Sequence, residues 1–289
     1  MMRTSLFTFS DGYAVPYYEW ESQNKADVVL LGVHGITPDL DEWMKLAAHI
    51  TDTLPMDVHV PVLRGYKPGK KARGHLPDQT QYDQDIDEMI SELNKEYDQV
   101  IVMGHSAGCG NVMRLIKKGA GSFKPVLLAP FIHPEMKVFR DQEQSNDDPS
   151  YQIFNIRAII AHTLSRFGLT FAEGIPVVRI PLREQPLYTD SLIHAYTLSY
   201  RLMMGRFLDP SSIKSLFAEN LIPIIIGEND EVIDAEKLTK YLVESSQAQI
   251  QVIPAADHNS IFHDQASLGE MIPLLSKLSS ETHVDRFSQ

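Results

Sequence analysis

One stretch constrains the fold of this chain more than any other: Val100-Ile101-Val102-Met103-Gly104-His105-Ser106-Ala107-Gly108-Cys109-Gly110. Four apolar residues in a row, without polar alternation, read as a strand buried on both faces. The run stops abruptly in small residues, and Val112, Leu115 and Ile116 then recur at helical spacing. Ser106 therefore sits on a strand-to-helix turn too tight for side chains at its neighbours. Gly104 and Gly108 suit such a turn, because glycine lets two backbones approach and tolerates strain. A serine held there projects its hydroxyl above the sheet, with the N–H of Ala107 opening the helix beside it. That is the arrangement of a nucleophile elbow, and the flanking strand and helix are the context the motif requires.

The rest of the chain repeats the same rhythm. Residues 4–9 and 14–20 alternate around Ser10-Asp11-Gly12 and predict an antiparallel hairpin. Residues 28–33, 58–63, 100–103, 124–129, 221–226 and 249–253 predict six buried strands. Helical patterns separate them, carried by Trp43, Leu46 and Ile50, by Tyr82, Ile86, Met89 and Leu93, and by the turn after the elbow. Further helices are expected over residues 212–218, 234–246 and 268–278. The alternation predicts an α/β fold: a mostly parallel, eight-stranded sheet with helices on both faces.

Residues 131–209 break the rhythm. Two helical patterns stand out there, Ile153, Ile156, Ile160 and Leu164, then Leu192, Ile193, Tyr196 and Tyr200, joined by a proline-punctuated link over residues 176–186. Ten of the 23 Phe and Tyr residues lie in this segment, about a quarter of the chain, so it is too aromatic to be a disordered linker. It is expected to be an inserted helical cap on a core made of residues 1–130 and 210–289. Some of its aromatics are candidates to line a pocket; the alternative is that they form the cap's own core.

Ordinary composition excludes several roles. With 38 acidic and 26 basic residues the net charge is −12, which argues against nucleic acid as a partner. A single cysteine, Cys109, excludes an intramolecular disulfide. No apolar run approaches membrane-spanning length, the first residues lack a signal-peptide pattern, and a cytoplasmic location without stable membrane insertion is expected. No dinucleotide fingerprint, phosphate loop or metal-ligand spacing occurs, so no cofactor and no metal is implied.

A serine hydroxyl is a poor nucleophile at neutral pH and needs a base, and the base needs a buried carboxylate to fix its tautomer. Asp230 directly follows the strand at 221–226, and His258 directly follows the strand at 249–253. Both therefore fall at the carboxyl ends of strands, where such sheets gather function, in the order serine, acid, histidine. Glu228 and Asp234 are rival acids, though Asp234 reads better as a helix N-cap. His263 is a rival base, set nearer the last helix. A tetrahedral oxyanion needs two donors, assigned to the N–H groups of Ala107 and of Ile36 in the His34-Gly35-Ile36 loop. His34 itself is expected to bond loop backbone.

These residues carry a resemblance. The chain resembles the α/β-hydrolase fold family, specifically its capped serine hydrolases of the monoacylglycerol lipase, lysophospholipase and carboxylesterase kind. The matching residues are His34-Gly35-Ile36, Arg64-Gly65, Gly104-His105-Ser106-Ala107-Gly108, Gly227-Glu228-Asn229-Asp230 and His258. Two departures stand out: Cys109 replaces a frequent glycine, and residues 64–78, with Lys67, Lys70, Lys71 and Arg73, are longer and more basic than the usual turn. That basic segment either attracts an anionic group or is solvated surface. The expected activity is cleavage of a small-molecule carboxylic ester with an apolar part. Thioester, amide or peptide, and carbon–carbon bonds remain alternatives, as does a non-catalytic ligand-binding role. The oligomeric state is open.

Overall fold

The computed structural model describes residues 2–67, 73–140, 151–181, 195–243 and 249–281. In chain order its elements begin with β1 (Met2–Thr8), β2 (Ala14–Trp20), β3 (Val28–Val33), α1 (Leu40–Thr53), β4 (Met56–Pro61), α2 (Gln81–Glu96), β5 (Gln99–His105), α3 (Ala107–Lys118) and β6 (Lys124–Leu128). Then follow β7 (Gln152–Ile153), α4 (Asn155–Arg166), β8 (Pro176–Pro181), β9 (Ala195–Ser199), α5 (Tyr200–Met204) and α6 (Pro210–Glu219). The last are β10 (Pro223–Gly227), α7 (Ala235–Val243), β11 (Gln249–Ile253) and α8 (Gln265–Ser280).

Eight strands form one sheet in the order β1-β2-β4-β3-β5-β6-β10-β11. The leading hairpin is antiparallel, β2 meets β4 antiparallel, and every later pair is parallel. The central strands β3 and β5 are the apolar runs of the sequence, and all of β5 is buried. That follows from burial on both faces: α1 and α8 both meet the turn at Ser260–Phe262, while α3 packs against α2 and α6. After β3 the chain steps to β4 on one side, and later returns to place β5 on the other. The order reverses between β3 and β5, and the loops leaving those two strands part to open a crevice.

No described residue of the segment between β6 and α6 belongs to this sheet. Its first helical pattern is α4, as expected, but only Ala161 of that helix is buried. Ile156, Ile159 and Ile160 are exposed, as are Phe167 and Phe171 beyond it, so this apolar stripe faces outward. The second expected helix is not one. Tyr196 lies in β9, and β9 pairs with β8, which also pairs with β7, in a three-stranded antiparallel sheet. The proline-punctuated link is thus in part a strand. Pro176 and Pro181 sit at its two ends, where a missing N–H costs least, and Val177, Val178 and Ile180 between them suit a strand. Leu192 and Ile193 lie outside the described residues, as do Lys70, Lys71 and residues 244–248.

The Arg64-Gly65 turn after β4 is held by charge. Arg64 is buried, and it donates from Nε and Nη2 to the two carboxylate oxygens of Asp85 at 2.7 and 2.9 Å. Its Nη1 pairs with Asp11 at 2.9 Å, and its guanidinium lies 4.2 Å from the Tyr13 ring centroid. The hairpin, the β4 turn and α2 are thereby tied together. Arg64→Met leaves Asp85 buried without its partner. We expect it to cost about 3 kcal/mol of stability, read as a lowered midpoint in urea unfolding.

Candidate active site

Ser106 occupies the junction of β5 and α3 with φ 51° and ψ −123°. This is a conformation that a side-chain-bearing residue holds only when its surroundings impose it. Three backbone hydrogen bonds do so. Its N–H donates to the Leu128 carbonyl at 3.0 Å, and its own carbonyl accepts from Cys109 N–H at 3.0 Å and Phe131 N–H at 3.1 Å. The helix can start here only because position 108 is glycine: a Cβ there would lie 2.0 Å from the Val33 carbonyl oxygen. Cys109 is buried, and its thiol donates to the Gly104 carbonyl at 3.0 Å. Burial pushes that thiol well above its usual range, so it packs and stays protonated. Ala107, the first residue of α3, has an N–H without an intrahelical acceptor, at the end of the helix that favours negative charge.

Asp230 and His258 come from the loops after β10 and β11. Gly227 lets those loops touch, since a Cβ on it would stand 2.2 Å from the Ala256 carbonyl oxygen. Asp230 is fully buried and fully engaged. Its Oδ1 accepts from the N–H groups of Val232 at 2.9 Å and Ile233 at 2.7 Å, and its Oδ2 lies 2.8 Å from His258 Nδ1. An ionised carboxylate so placed requires a proton on Nδ1, leaving His258 Nε2 as the basic atom. Burial pulls the His258 pKa down, but the charge and hydrogen bond of Asp230, helped by Glu231, outweigh it and hold the imidazole above its ordinary value. Glu231 also accepts the backbone N–H of His258 at 3.0 Å.

The loop after β3 lies against the serine: a Cβ built on Gly35 would come 3.0 Å from Ser106 Cβ. His34 orders this loop as expected. Its Nε2 accepts the Leu63 N–H at 3.0 Å, so Nδ1 carries the proton and donates to the Gly35 carbonyl at 2.8 Å. Burial, with Arg206 nearby, lowers its pKa to about 3, so the ring stays neutral at working pH. In a trans peptide the N–H points away from the carbonyl, so the Ile36 N–H is turned away from the His34 ring. Behind His258, the buried His105 sits at 3.0 Å from the His258 carbonyl through Nε2 and is kept neutral chiefly by burial.

One cleft gathers Ile36, Ser106, Ala107 and His258, and Asp230 closes it from behind through His258. The rivals lie elsewhere in role. Asp234 accepts the Lys237 N–H at 2.9 Å as a helix cap, Glu228 accepts the Ala255 N–H at 3.3 Å, and His263 pairs with Glu42 at 2.8 Å on the surface. Tyr151, Val178, Ile180, Tyr196 and Met203 of the 131–209 segment also line the cleft, with Phe131 at its start. Arg73 stacks on Tyr196 at 4.2 Å and Arg64 serves the hairpin, so these two basic residues act within the fold. Sequence reasoning did not single out Glu231, Asn111 or Arg206. Glu231, next to Asp230, was the only one with a signal, its charge at a strand end.

A model of the alpha/beta hydrolase family matches residues 28–268. The chain belongs to the alpha/beta hydrolase family. No curated protein matches its sequence. Solved members of like fold include a soluble variant of monoglyceride lipase from Saccharomyces cerevisiae bound to a substrate analogue, 17% identical. That alignment has a TM-score of 0.67 and covers 96% of this chain and 94% of that one. Monoacylglycerol lipase from Paleococcus ferrophilus is 19% identical, with a TM-score of 0.62 over 92% and 98% of the two chains. A thioesterase domain from the curacin biosynthetic pathway is 16% identical, with a TM-score of 0.54 over 96% and 99%. At these identities the likeness establishes the hydrolase fold, and the choice of bond rests on the site itself.

In this hydrolase-family site the Asp230 carboxylate is what lifts His258. Asp230→Asn removes that charge and its hydrogen bond to the ionised form, and leaves burial opposed by the charges of Glu231 and Asp39. The His258 ring protons, followed by NMR against pH, should titrate above 6.5 in the parent chain and at a clearly lower pH in the variant.

Proposed function

We propose that this chain hydrolyses a carboxylic ester with an apolar acyl or alcohol part, through an acyl-enzyme on Ser106. The observation that carries the reading is the Asp230–His258 hydrogen bond of 2.8 Å, presented in the same cleft as a serine held in elbow geometry. His258 Nε2 takes the Ser106 proton as Oγ bonds to the substrate carbonyl carbon. The carbonyl oxygen becomes an oxyanion and is held by the N–H groups of Ile36 and Ala107. His258 passes the proton to the departing alcohol, and the acyl group stays on Ser106. Water then gives a proton to His258 and its oxygen to the acyl carbon, and the acid leaves as Ser106 regains its proton. No cofactor takes part in this sequence.

Residues 131–209 act as a cap in this reading, its described part made of helices α4 and α5 and a three-stranded sheet, where a helical cap is expected from sequence. Val178, Ile180, Tyr196 and Met203 form an apolar roof over the cleft and would take up the apolar part of the substrate. Among the described residues no helix is long and apolar enough to cross a membrane.

The test is a p-nitrophenyl ester series of increasing acyl length. We expect turnover with an optimum at medium or long chains, and a fall of at least about 10⁴-fold in kcat for Ser106→Ala. Activity that survives Ser106→Ala would remove the serine from its role. Ile180→Trp fills the roof and should cut turnover of long-chain esters at least tenfold more than turnover of the acetate. The base must be neutral to accept a proton, so activity should rise with pH through a midpoint above 6.5 and be lost below it, as the raised pKa of His258 requires.

A further inference from the structure

Arg206 is unusual in this molecule. It follows α5 at the far end of the 131–209 segment, and it is fully buried beneath the cleft. Its Nη1 donates to the His34 carbonyl at 2.9 Å and lies 3.3 Å from Asn111 Oδ1, both neutral acceptors. Its Nε and Nη2 reach no carboxylate or carbonyl; their polar neighbours are the neutral phenols of Tyr66 and Tyr82. The guanidinium lies 5.0 Å from the ring centroids of Tyr66 and of Tyr82. Cation–π contacts offset part of the desolvation cost, but a buried cation whose described partners are all neutral remains costly to the fold, which points to a service elsewhere.

What it joins indicates the service. Asn111, in the second turn of α3, grips the same segment twice: Oδ1 faces Arg206 Nη1, and Nδ2 donates to the Gly205 carbonyl at 3.1 Å. The neighbouring Gly110 leaves room for the Arg206 backbone, where a Cβ would stand 2.2 Å from its carbonyl oxygen. Arg206 thus bridges the helix that begins with Ala107 to the loop that contains Ile36. These are the two elements that carry the proposed oxyanion donors, and they are far apart in sequence. The bridge ends on the His34–Gly35 peptide, and the His34 ring holds the next peptide, Gly35–Ile36. Both peptides before the Ile36 donor are therefore anchored, one by Arg206 and one by the ring.

We propose that Arg206 is a positioning residue of the oxyanion hole: by clamping the His34 carbonyl to α3, it sets the spacing of the Ile36 and Ala107 N–H groups. Its charge, buried behind the loop, also favours the negative charge that develops there. The proposal rests on the reading of Ser106 as the nucleophile and adds a residue contributed by the inserted segment. Arg206 touches no substrate and acts through the His34–Gly35 peptide.

The experiment uses a fluorophosphonate, which bonds through phosphorus to an activated serine with loss of fluoride and requires no knowledge of the natural substrate. The full-length protein, Ser106→Ala, Arg206→Met and Asn111→Asp are compared by intact mass, with rates normalised to folded protein from circular dichroism melts. The parent should label once, on Ser106, and Ser106→Ala should not label. Arg206→Met should label about a hundredfold more slowly, the loss that follows from a misplaced oxyanion donor. Asn111→Asp keeps the side chain's shape, gives up the Nδ2 bond to the Gly205 carbonyl and draws the guanidinium into an ion pair and away from His34, and should label about tenfold more slowly. The pH midpoint of labelling, set by His258, should not move in either variant. A folded Arg206→Met or Asn111→Asp that labels at the parental rate, or whose loss comes with a shifted midpoint, would overturn the proposal; should Arg206→Met not fold, Asn111→Asp decides alone. Absence of labelling in the parent would instead overturn the nucleophile assignment, and this inference with it.

Discussion

The contact between Gly108 and the Val33 carbonyl is the constraint on which the rest of the site depends. A single methyl there would stand 2.0 Å from the oxygen, so α3 starts where it does only because residue 108 has no side chain. The contact brings the N-terminus of α3 against the end of β3, at the point where the strand order of the sheet reverses. It also leaves Ser106 no relaxed conformation. The strain at φ 51° is held by backbone bonds to Cys109 of α3, to Leu128 of the next strand and to Phe131 beyond it. One close approach therefore gathers Ser106, Ala107 and the Gly35 loop at one cleft.

Charge is managed around that point by complete satisfaction on one side and by deficit on the other. Asp230 is buried, but three donors from Val232, Ile233 and His258 surround its oxygens, so neither oxygen is left unsatisfied. Its influence outweighs burial at His258 and keeps that imidazole above its ordinary pKa. His34 and His105, equally buried without a carboxylate partner, are driven neutral and serve as hydrogen-bonding struts. Four imidazole roles that look alike in sequence (base, two struts and the surface His263) are separated only by what each ring faces.

The sheet was legible because buried parallel strands leave unbroken apolar runs, and six of them are punctuated by small or polar residues at their carboxyl ends. The same rule singled out Ser106, Asp230 and His258, since each directly follows such a run, and the structure brings the last two into contact beside the first. The inserted segment was less legible for a physical reason. Tyr196 and Tyr200 are four residues apart, a spacing that suits one face of a helix and, being even, one face of a strand as well. The prolines bracketing β8 resembled a link, while Val177, Val178 and Ile180 between them carried the strand signal. The apolar stripe of α4 was read correctly as a helix, but periodicity cannot say whether a stripe faces a core or solvent. Arg206 left no trace at all: its importance lies in a carbonyl 172 residues away.

The proposed chemistry requires Ser106, His258 and the two backbone donors to converge on one tetrahedral centre. A crystal structure of the protein with an alkyl boronic acid would show that centre, because boron forms a tetrahedral adduct with an activated serine. A bond from Ser106 Oγ to boron is expected. One boron oxygen should lie within about 3 Å of the N–H groups of both Ile36 and Ala107, the alkyl chain should run beneath Ile180 and Tyr196, and His258 Nε2 should face Oγ. A boronate bonded elsewhere, or bonded to Ser106 with its oxygen turned away from both N–H groups, would contradict the proposed chemistry.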